Sequence, residues 1–291
     1  MYSPQFDYYR AKSVEEAGTL LKQHPGAKLL AGGHTLIPLL KLRLASPSAV
    51  IDIGRIAELK GVEAKDGVVR IGALTTHAEL AASAVVREQC PALAEAAGHV
   101  GDPAVRNRGT IGGNVAHADP ASDLPTVLAA LGAKFVVTSG RGQQTVPVEQ
   151  FFTGLMSTAL GEGDLLTAIE VPVQAAGQGS AYVKFEHPAS RYAVIGVAAV
   201  LGVSGGTCKS AAIALGGLVP RPARAASVER RLVGQALSEA NMATAAADVA
   251  ADLGADIDNL IGDLYASAEY RKAVAPVWVK KALAAAAARV R

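Results

Sequence analysis

Residues 109–125 have the sequence GTIGGNVAHADPASDLP, an irregular polar stretch in the middle of a chain that is half apolar. It places a glycine pair, an asparagine, a histidine, two aspartates and two prolines within seventeen positions, without a regular hydrophobic period. We predict a long irregular loop here, because segments with a helical pattern precede and follow it. A loop of this length inside a compact domain is usually functional.

A second glycine pair lies in residues 29–43, LLAGGHTLIPLLKLR, directly after a predicted buried strand. Glycine admits positive φ and has no Cβ atom, so backbone N–H groups around it can converge on one anion. A pyrophosphate needs many such donors and little side-chain bulk. The two glycine loops, 31–35 and 110–114, are therefore predicted to hold a dinucleotide from two sides. Their side-chain donors are Thr35, Thr110 and Asn114.

Each glycine pair by itself is also typical of a simple turn, and two familiar phosphate motifs are missing. No GxGxxG follows the first strand with an acidic residue about twenty positions later, which excludes a Rossmann fingerprint. Residues 204–210, SGGTCKS, resemble a phosphate loop but have Cys208 in place of the glycine before Lys209. A hairpin turn is expected there.

With 291 residues, 50% of them apolar and 19% charged, the chain is predicted to be a soluble globular protein of about two domains. Its net charge of +2 without a basic block and its 4% of aromatic residues argue against a nucleic-acid-binding protein. Cys90 and Cys208 are isolated, so they cannot ligate an iron–sulfur cluster, and two buried thiols are expected. The N-terminus lacks the pattern of a secretory signal, and the alanine-rich run 282–290 is too short to cross a membrane.

The hydrophobic pattern divides the chain into three parts. Residues 1–56 are predicted to form a small α/β unit, with a helix at 14–23 capped by Ser13 and strands at 27–33 and 49–55.

Residues 57–176 are expected to contain a hairpin around an Asp-Gly turn, helices between Thr76 and residue 99, and after the loop a helix, a second hairpin and a strand. Residues 174–180, QAAGQGS, are small and polar and are the predicted linker. Residues 177–291 are expected to form an antiparallel sheet packed on helices. The predicted fold class is therefore α+β.

Five segments occur in the order typical of one protein family: AGGHTLIPLLKLR (31–43), VRNRGTIGGNVAHADPASDLP (105–125), LLTAIEVP (165–172), ASRYAVIGVA (189–198) and YRKAV (270–274). The chain resembles the FAD-binding medium subunit of the molybdenum hydroxylases, which include the carbon monoxide dehydrogenase, xanthine dehydrogenase and aldehyde oxidoreductase types. The resemblance covers nearly the whole chain. It implies an oxidoreductase subunit with two FAD-binding subdomains of the vanillyl-alcohol-oxidase type, at 1–56 and 57–176. A C-terminal flavoprotein domain at 177–291 would close over the flavin.

The resemblance also implies which residues bind FAD. The glycine loops correspond to the pyrophosphate site, Asp123 to an acceptor for ribityl or ribose hydroxyls, and Tyr192 to an aromatic ring beside the isoalloxazine. Lys184 and the backbone of Leu166 would approach the flavin. The full predicted set is Ala31, Gly32, Gly33, His34, Thr35, Leu36, Thr110, Ile111, Gly112, Gly113, Asn114, His117, Asp123, Leu166, Lys184 and Tyr192.

Several of these residues also have a purely structural interpretation. Asp123 is a good N-cap for the helix expected after it; the alternative for Tyr192 is a core tyrosine at the start of a strand, and for Lys184 a solvated edge lysine. His34 and His117 are interpreted as polar flavin contacts or as loop packing. Two loop histidines without a nearby cysteine do not predict a metal site. No catalytic residue is predicted, because a bound flavin supplies the redox chemistry itself.

The same resemblance implies partner subunits. Electrons would come from [2Fe–2S] clusters on a small subunit and leave through FAD to an external acceptor, while the molybdenum cofactor would lie on a large molybdopterin-binding subunit. A dimer of heterotrimers is expected, in the cytoplasm or peripheral to the inner face of the membrane. The alternative is a stand-alone small-molecule flavin oxidoreductase of the same fold. A scaffold with a vestigial flavin loop is disfavoured, because both glycine loops and Asp123 are intact.

Overall fold

The computed structural model describes residues 2–254 and 259–290. Their strands form one parallel sheet, two antiparallel sheets and a small two-stranded hairpin, with helices between and around them. The expected α+β class is confirmed.

Residues 7–59 fold around the three-stranded parallel sheet. Its elements are β1 (Asp7–Arg10), α1 (Val14–Gln23), β2 (Lys28–Leu30), α2 (Leu36–Lys41), β3 (Ala49–Asp52) and a 3-10 turn (Ala57–Leu59). β3 is the central strand and is largely buried. As expected, Ser13 caps α1, since its hydroxyl oxygen accepts a hydrogen bond from the N–H of Glu16 at 3.1 Å.

Residues 62–172 fold around a five-stranded antiparallel sheet. Its strands are β4 (Val62–Lys65), β5 (Val68–Gly72), β6 (Lys134–Ser139), β7 (Gly142–Pro147) and β10 (Leu165–Pro172), and a separate hairpin consists of β8 (Phe152–Gly154) and β9 (Ser157–Thr158). The order in the sheet is β4–β5–β10–β6–β7. The helices are α3 (His77–Ala82), α4 (Ala84–Gln89), α5 (Pro91–His99), α6 (Pro103–Arg108), α7 (Ile111–His117), α8 (Asp123–Leu131) and α9 (Val148–Phe151). Both predicted hairpins and the last strand are confirmed.

The stretch 109–125 is not the continuous irregular loop that its composition predicts, because it contains α7 and the start of α8. Ile111 and Val115 lie four positions apart and are fully buried, which is the spacing of one helical face. The Thr110 hydroxyl caps α7 by accepting from the N–H of Gly113 at 3.2 Å. The prediction was wrong because glycine and asparagine disfavour helices, so the helical spacing of the two apolar residues was too short a signal to outweigh them.

Residues 178–287 combine a four-stranded antiparallel sheet with a helical layer. The strands are β11 (Gln178–Glu186), β12 (Ala193–Ser204), β13 (Thr207–Gly216) and β14 (Ala223–Arg224), paired in chain order. The helices are α10 (Ala226–Leu232), α11 (Glu239–Ala247), α12 (Val249–Asp252) and α13 (Ala268–Ala287). Gly205 and Gly206, both with positive φ, form the turn between β12 and β13, so the hairpin turn expected at 204–210 is confirmed.

This third sheet is covered on both faces. Ala181 and Val197 belong to the core under α10–α13, whereas the next residues along the strands, Tyr182 and Ala198, belong to the core shared with α5 and α8. Successive side chains of a strand point to opposite faces, so the sheet lies between two helical layers. The longest strand of this sheet, β12, is a nearly continuous apolar run for this reason.

The thiols, the membrane segments and the domain limits are the remaining features predicted from the sequence. Cys90 and Cys208 are buried free thiols, and burial raises the pKa of Cys90 to about 12. Among the described residues, no helix has both the length and the apolar character needed to cross a bilayer. The domain limits at 56/57 and 176/177 stay predictions.

Candidate functional site

The first glycine loop connects β2 to α2 and carries free donors. In the described residues, the backbone N–H groups of the five consecutive residues from Gly32 to Leu36 have no acceptor. The side chain of Thr35 makes no capping hydrogen bond. Gly33 has a φ of +80°, a conformation that favours glycine. Consecutive free N–H groups in such a turn form a concavity suited to an anion.

The second glycine loop differs, because its backbone donors from Ile111 to Asn114 are already used. The N–H groups of Ile111 and Gly112 donate to the carbonyl oxygens of Thr75 and Ala73 at 3.0 and 2.9 Å. The next two N–H groups, of Gly113 and Asn114, donate to the hydroxyl and the carbonyl of Thr110. This loop therefore offers a ligand side-chain groups and close approach, rather than the converging N–H groups predicted for it.

Side-chain donors and acceptors of the second loop remain available. The Asn114 amide donates to Ser122 Oγ at 3.0 Å, while its Oδ1 atom is buried without a partner in the described part of the chain. The Thr110 hydroxyl accepts one hydrogen bond and keeps its own proton to donate. An unpaired buried amide oxygen is costly and is explained by a ligand or water that donates to it.

The two glycine loops touch each other through backbone atoms. A Cβ atom at Gly32 would overlap the carbonyl oxygen of Arg108 and would lie 3.0 Å from the Cα of Gly109. On the other side, a Cβ atom at Gly113 would lie 3.9 Å from that of Ala31. Gly112 leaves no room either, because Ala73 fills the space. Of the four paired glycines, only Gly33 has positive φ, whereas Gly32 and Gly112 are needed for space; a Cβ atom at Gly113 would come closest to the Thr110 hydroxyl, at 2.9 Å.

Asp123 and Lys184 form a buried ion pair. The Lys184 ammonium lies 2.9 Å from Asp123 Oδ2, and the two side chains are 1% and 6% exposed, respectively. Asp123 Oδ1 accepts a hydrogen bond from the Tyr182 hydroxyl at 2.6 Å, and Lys184 also donates to the carbonyl oxygen of His99. Burial raises the pKa of Asp123, and the ammonium and the phenol oppose this shift.

Both structural alternatives for this pair are wrong. Ser122 is the N-cap of α8, so Asp123 is its first helical residue and does not cap it. Lys184 is buried and is not a solvated edge lysine. Each Asp123 oxygen retains acceptor capacity beside its protein partner, so a further hydroxyl donor is compatible with this arrangement.

Tyr192 lies at the end of the turn between β11 and β12 and is 45% exposed, so its alternative as a core tyrosine is wrong. Its carbonyl oxygen accepts from the N–H of His187 at 2.8 Å, and Arg191 takes a φ of +61° in this turn. Partial burial and the charges of Asp119 and Asp123 raise the pKa of Tyr192. The ring therefore lies close to the segment that begins α8.

The remaining predicted residues differ in their contacts and in their exposure. The Asn114–Ser122 hydrogen bond joins α7 to the residue before Asp123. Leu166 is buried at an irregularity of β10, and the next residue, Thr167, accepts from the N–H of Ala73 at 3.0 Å. The other positions differ in exposure: Leu36 and His117 are half-buried, His34 is exposed and Ile111 is fully buried. In the described residues, no three His, Cys, Asp or Glu side chains form a group that could hold a metal ion.

Sequence reasoning missed Tyr182 and His77. Tyr182 lies two positions before Lys184, on the same face of β11, so the period of a strand could have identified it. His77 is 3% exposed, and its Nδ1 atom has no partner in the described residues. Burial, with His34 and Arg106 nearby, lowers the pKa of His77 to about 4.

A cavity of about 460 Å³ lies elsewhere, beside α5 and the end of α13. Its lining includes Arg87, Glu95, His99 and Arg289. None of the predicted FAD-binding residues lines it. The chemistry of the glycine loops, rather than the presence of a cavity, thus identifies the candidate site.

Comparison with known proteins gives matches over nearly the whole chain. Residues 4–174 match the family described as the FAD binding domain in molybdopterin dehydrogenase, and residues 180–286 match the CO dehydrogenase flavoprotein C-terminal domain. The chain is 43% identical over 290 residues to the carbon monoxide dehydrogenase medium chain of Hydrogenophaga pseudoflava, covering 99% of both chains. It is 38% identical over 282 residues to the glyceraldehyde dehydrogenase medium chain of Sulfolobus acidocaldarius, covering 97% of this chain and 98% of that one.

Its fold matches a solved structure of carbon monoxide dehydrogenase from Hydrogenophaga pseudoflava that lacks the Mo-pyranopterin moiety of the molybdenum cofactor. The TM-score is 0.93 at 43% sequence identity, with both chains covered completely. The agreement in fold thus extends over the same residues as the agreement in sequence.

Replacing Asp123 by Asn should lower the free energy of unfolding of the apo-protein by about 3–5 kcal/mol, because the buried Lys184 ammonium loses its counter-charge. The double variant Asp123→Asn/Lys184→Met should recover most of this loss. Urea denaturation measures both. Asp119→Asn is the matched control, since its half-buried side chain caps only the N–H of Ala121. Equal midpoints for the Asp123 and Asp119 variants would show that the pair contributes little.

Acid should destabilise the fold through His77. Its pKa falls from 6.5 to about 4 in the folded chain, so the unfolded chain binds more protons between these values. The free energy of unfolding should therefore decrease by about 3 kcal/mol as the pH falls through this window. His77→Gln should lose this part of the pH dependence, whereas His117→Gln should keep it. Denaturation at a series of pH values tests this, and identical profiles for wild type and His77→Gln would contradict it.

Proposed function

Because this chain belongs to the FAD-binding medium subunits of the molybdenum hydroxylase family, we propose that it carries electrons from the iron–sulfur centres of a partner subunit, through FAD, to an external acceptor. The chain is thus a flavoprotein subunit of an oxidoreductase. The route of the electrons and the residues assigned to the flavin are proposed in addition to family membership.

The observation that carries the assignment is the row of free N–H groups from Gly32 to Leu36. The pyrophosphate of FAD carries two negative charges and no bulky groups, so it matches a concavity of backbone donors. Gly32 lets this row rest directly on the backbone of residues 108–109, and Gly113 places no side chain toward Ala31. The unpaired Oδ1 atom of Asn114 is an acceptor for a hydroxyl of the cofactor. The residues present therefore fit FAD.

In this proposal each part of the site has a separate task. The 32–36 backbone binds the pyrophosphate, and Thr110 and Asn114 orient the adjoining groups. Asp123, fixed by Lys184, accepts from a ribityl or ribose hydroxyl. The exposed ring of Tyr192 covers one face of the isoalloxazine and limits the access of water. When bound, FAD supplies the redox chemistry, since flavins accept and donate electrons.

We further propose a large molybdopterin-binding subunit and a small [2Fe–2S] subunit as partners, in a dimer of heterotrimers. The relatives support this, because several of them are named as medium chains. A stand-alone flavin oxidoreductase is the alternative, and co-purification of the two partner subunits from the native source would separate the two. The cytoplasmic location stays a prediction.

Purified wild-type protein should contain stoichiometric FAD, released on denaturation and measured by absorbance. Gly32→Ala should weaken FAD binding by a factor of about ten or more, because its methyl group displaces Arg108 and the free N–H row with it. Gly98→Ala is the matched control, since a Cβ atom at that helical glycine meets nothing within 4 Å. A wild-type protein that remains colourless after incubation with FAD would refute the proposed function.

Tyr192→Ala should retain FAD but change its fluorescence and speed its reoxidation by oxygen, because one face of the ring loses its cover. Tyr2→Ala is the control, since that tyrosine is also exposed and lies far along the sequence from every assigned residue. Flavin fluorescence and stopped-flow reoxidation measure the effect. Flavin properties equal in both variants would remove Tyr192 from the site.

A further inference from the structure

His77 is the first residue of α3, and its position is fixed by a capping box. The N–H of Thr76 donates to Glu79 Oε2 at 2.8 Å, and the N–H of Glu79 donates to the Thr76 hydroxyl at 3.2 Å. This reciprocal pair holds the backbone at the start of the helix. The imidazole of His77 is therefore directed by a rigid backbone and is almost completely buried.

The imidazole packs against the backbone of Gly109, directly before the second glycine loop. A Cβ atom at Gly109 would lie 2.9 Å from His77 Cδ2 and 3.0 Å from Nε2, closer than real Cβ atoms come to such neighbours. The N–H of His77 also donates to the carbonyl oxygen of Gly109 at 3.0 Å. The ring and the Gly109 backbone are thus in direct contact, with no side chain between them.

Gly109 in turn supports the first glycine loop. A Cβ atom at Gly32 would lie 3.0 Å from Gly109 Cα and would overlap the carbonyl oxygen of Arg108. The order is therefore the imidazole, the backbone of residues 108–109, and the row of free N–H groups that begins at Gly32. Gly109 and Gly32 make the two successive contacts, so no flexible side chain lies between the ring and the free N–H groups of residues 32–36. A displacement of the ring therefore displaces these N–H groups as well.

Burial is the main cause that lowers the pKa of the His77 ring. The charges of His34, in the first glycine loop, and of Arg106, on α6, lower this pKa further. Nδ1 has no partner among the described residues, so no carboxylate there stabilises a protonated ring. The neutral imidazole is therefore the form that fits beneath the backbone of residues 108–109.

From these contacts we infer that His77 is a positioning residue of the FAD site: it supports the Arg108–Gly109 backbone and thereby holds the 32–36 donors in place for the pyrophosphate. The inference rests on the proposed function. It assigns His77 no contact with the cofactor, since its ring lies below the backbone.

The test compares FAD dissociation constants of the full chain carrying His77→Ala, His77→Gln or Leu80→Ala. Leu80 is fully buried on the same helix, so Leu80→Ala controls for general destabilisation. His77→Ala should raise the dissociation constant by a factor of about ten or more, whereas Leu80→Ala should lower the melting temperature and leave the dissociation constant within a factor of about three. His77→Gln, which retains a planar group of similar reach, should stay within the same factor at neutral pH.

A second readout is the pH profile of FAD release. Wild-type protein should release FAD faster as the ring becomes protonated in acid, and His77→Gln should lack this acid limb. The inference is overturned if His77→Ala binds FAD as tightly as wild type, or if Leu80→Ala weakens FAD binding as much as His77→Ala does. It is also overturned if FAD release from His77→Gln still becomes faster in acid. If wild-type protein binds no FAD at all, the proposed function itself fails, and that result is distinct from these three.

Discussion

The Lys184 side chain extends from β11 into the space between α5 and α8, where its ammonium donates to the Asp123 carboxylate and to the carbonyl of His99. A charge removed from water in this way is tolerated only with a close counter-charge and satisfied donors. The carboxylate is at the start of α8 and the carbonyl is at the end of α5. One lysine therefore fixes the ends of two helices relative to the third sheet. The start of α8 then fixes α7, through the hydrogen bond between Ser122 and Asn114.

Close packing around this pair explains the small residues of the C-terminal strands. A Cβ atom at Gly196 would lie 2.5 Å from the Tyr182 hydroxyl, and one at Gly216 would overlap the Thr126 hydroxyl on α8. Larger residues at either position would separate the sheet from α8 and expose the ion pair to water. The high alanine and glycine content of these strands is thus a consequence of a sheet enclosed by two helical layers.

Much of the fold could be predicted from the sequence, because most elements have clear local signals. Ser13 before an amphipathic run, the Asp-Gly turn after β4 and the apolar runs of β12 and β13 each identified their elements correctly. The second glycine loop could not be predicted correctly, because its helix rests on one apolar pair and a threonine cap. Two of its bonded N–H groups, those of Ile111 and Gly112, donate to residues 73–75, which are distant in sequence.

For the candidate site, residue types were easier to predict than their arrangement. A carboxylate at position 123 and a lysine at 184 were identified separately, but only the fold brings them within 2.9 Å. The roles of His77 and Gly109 likewise depend on a contact between segments that no local pattern encodes. Composition indicated that the paired glycines serve positive φ and close approach, but only the fold shows that Gly33 takes positive φ while Gly32 and Gly112 serve close approach.

The two glycine loops differ in hydrogen bonding, and this difference gives them different tasks in binding an anion. The second loop has its backbone N–H groups bonded within the chain, so it is rigid before any ligand arrives. The first loop has free N–H groups, but its backbone rests on the second loop through Gly32. Donors that are unpaired and yet held in position lose little conformational entropy when an anion binds, so more of the interaction energy appears as affinity. The rigid loop therefore supplies the pre-organisation, and the open loop supplies the donors.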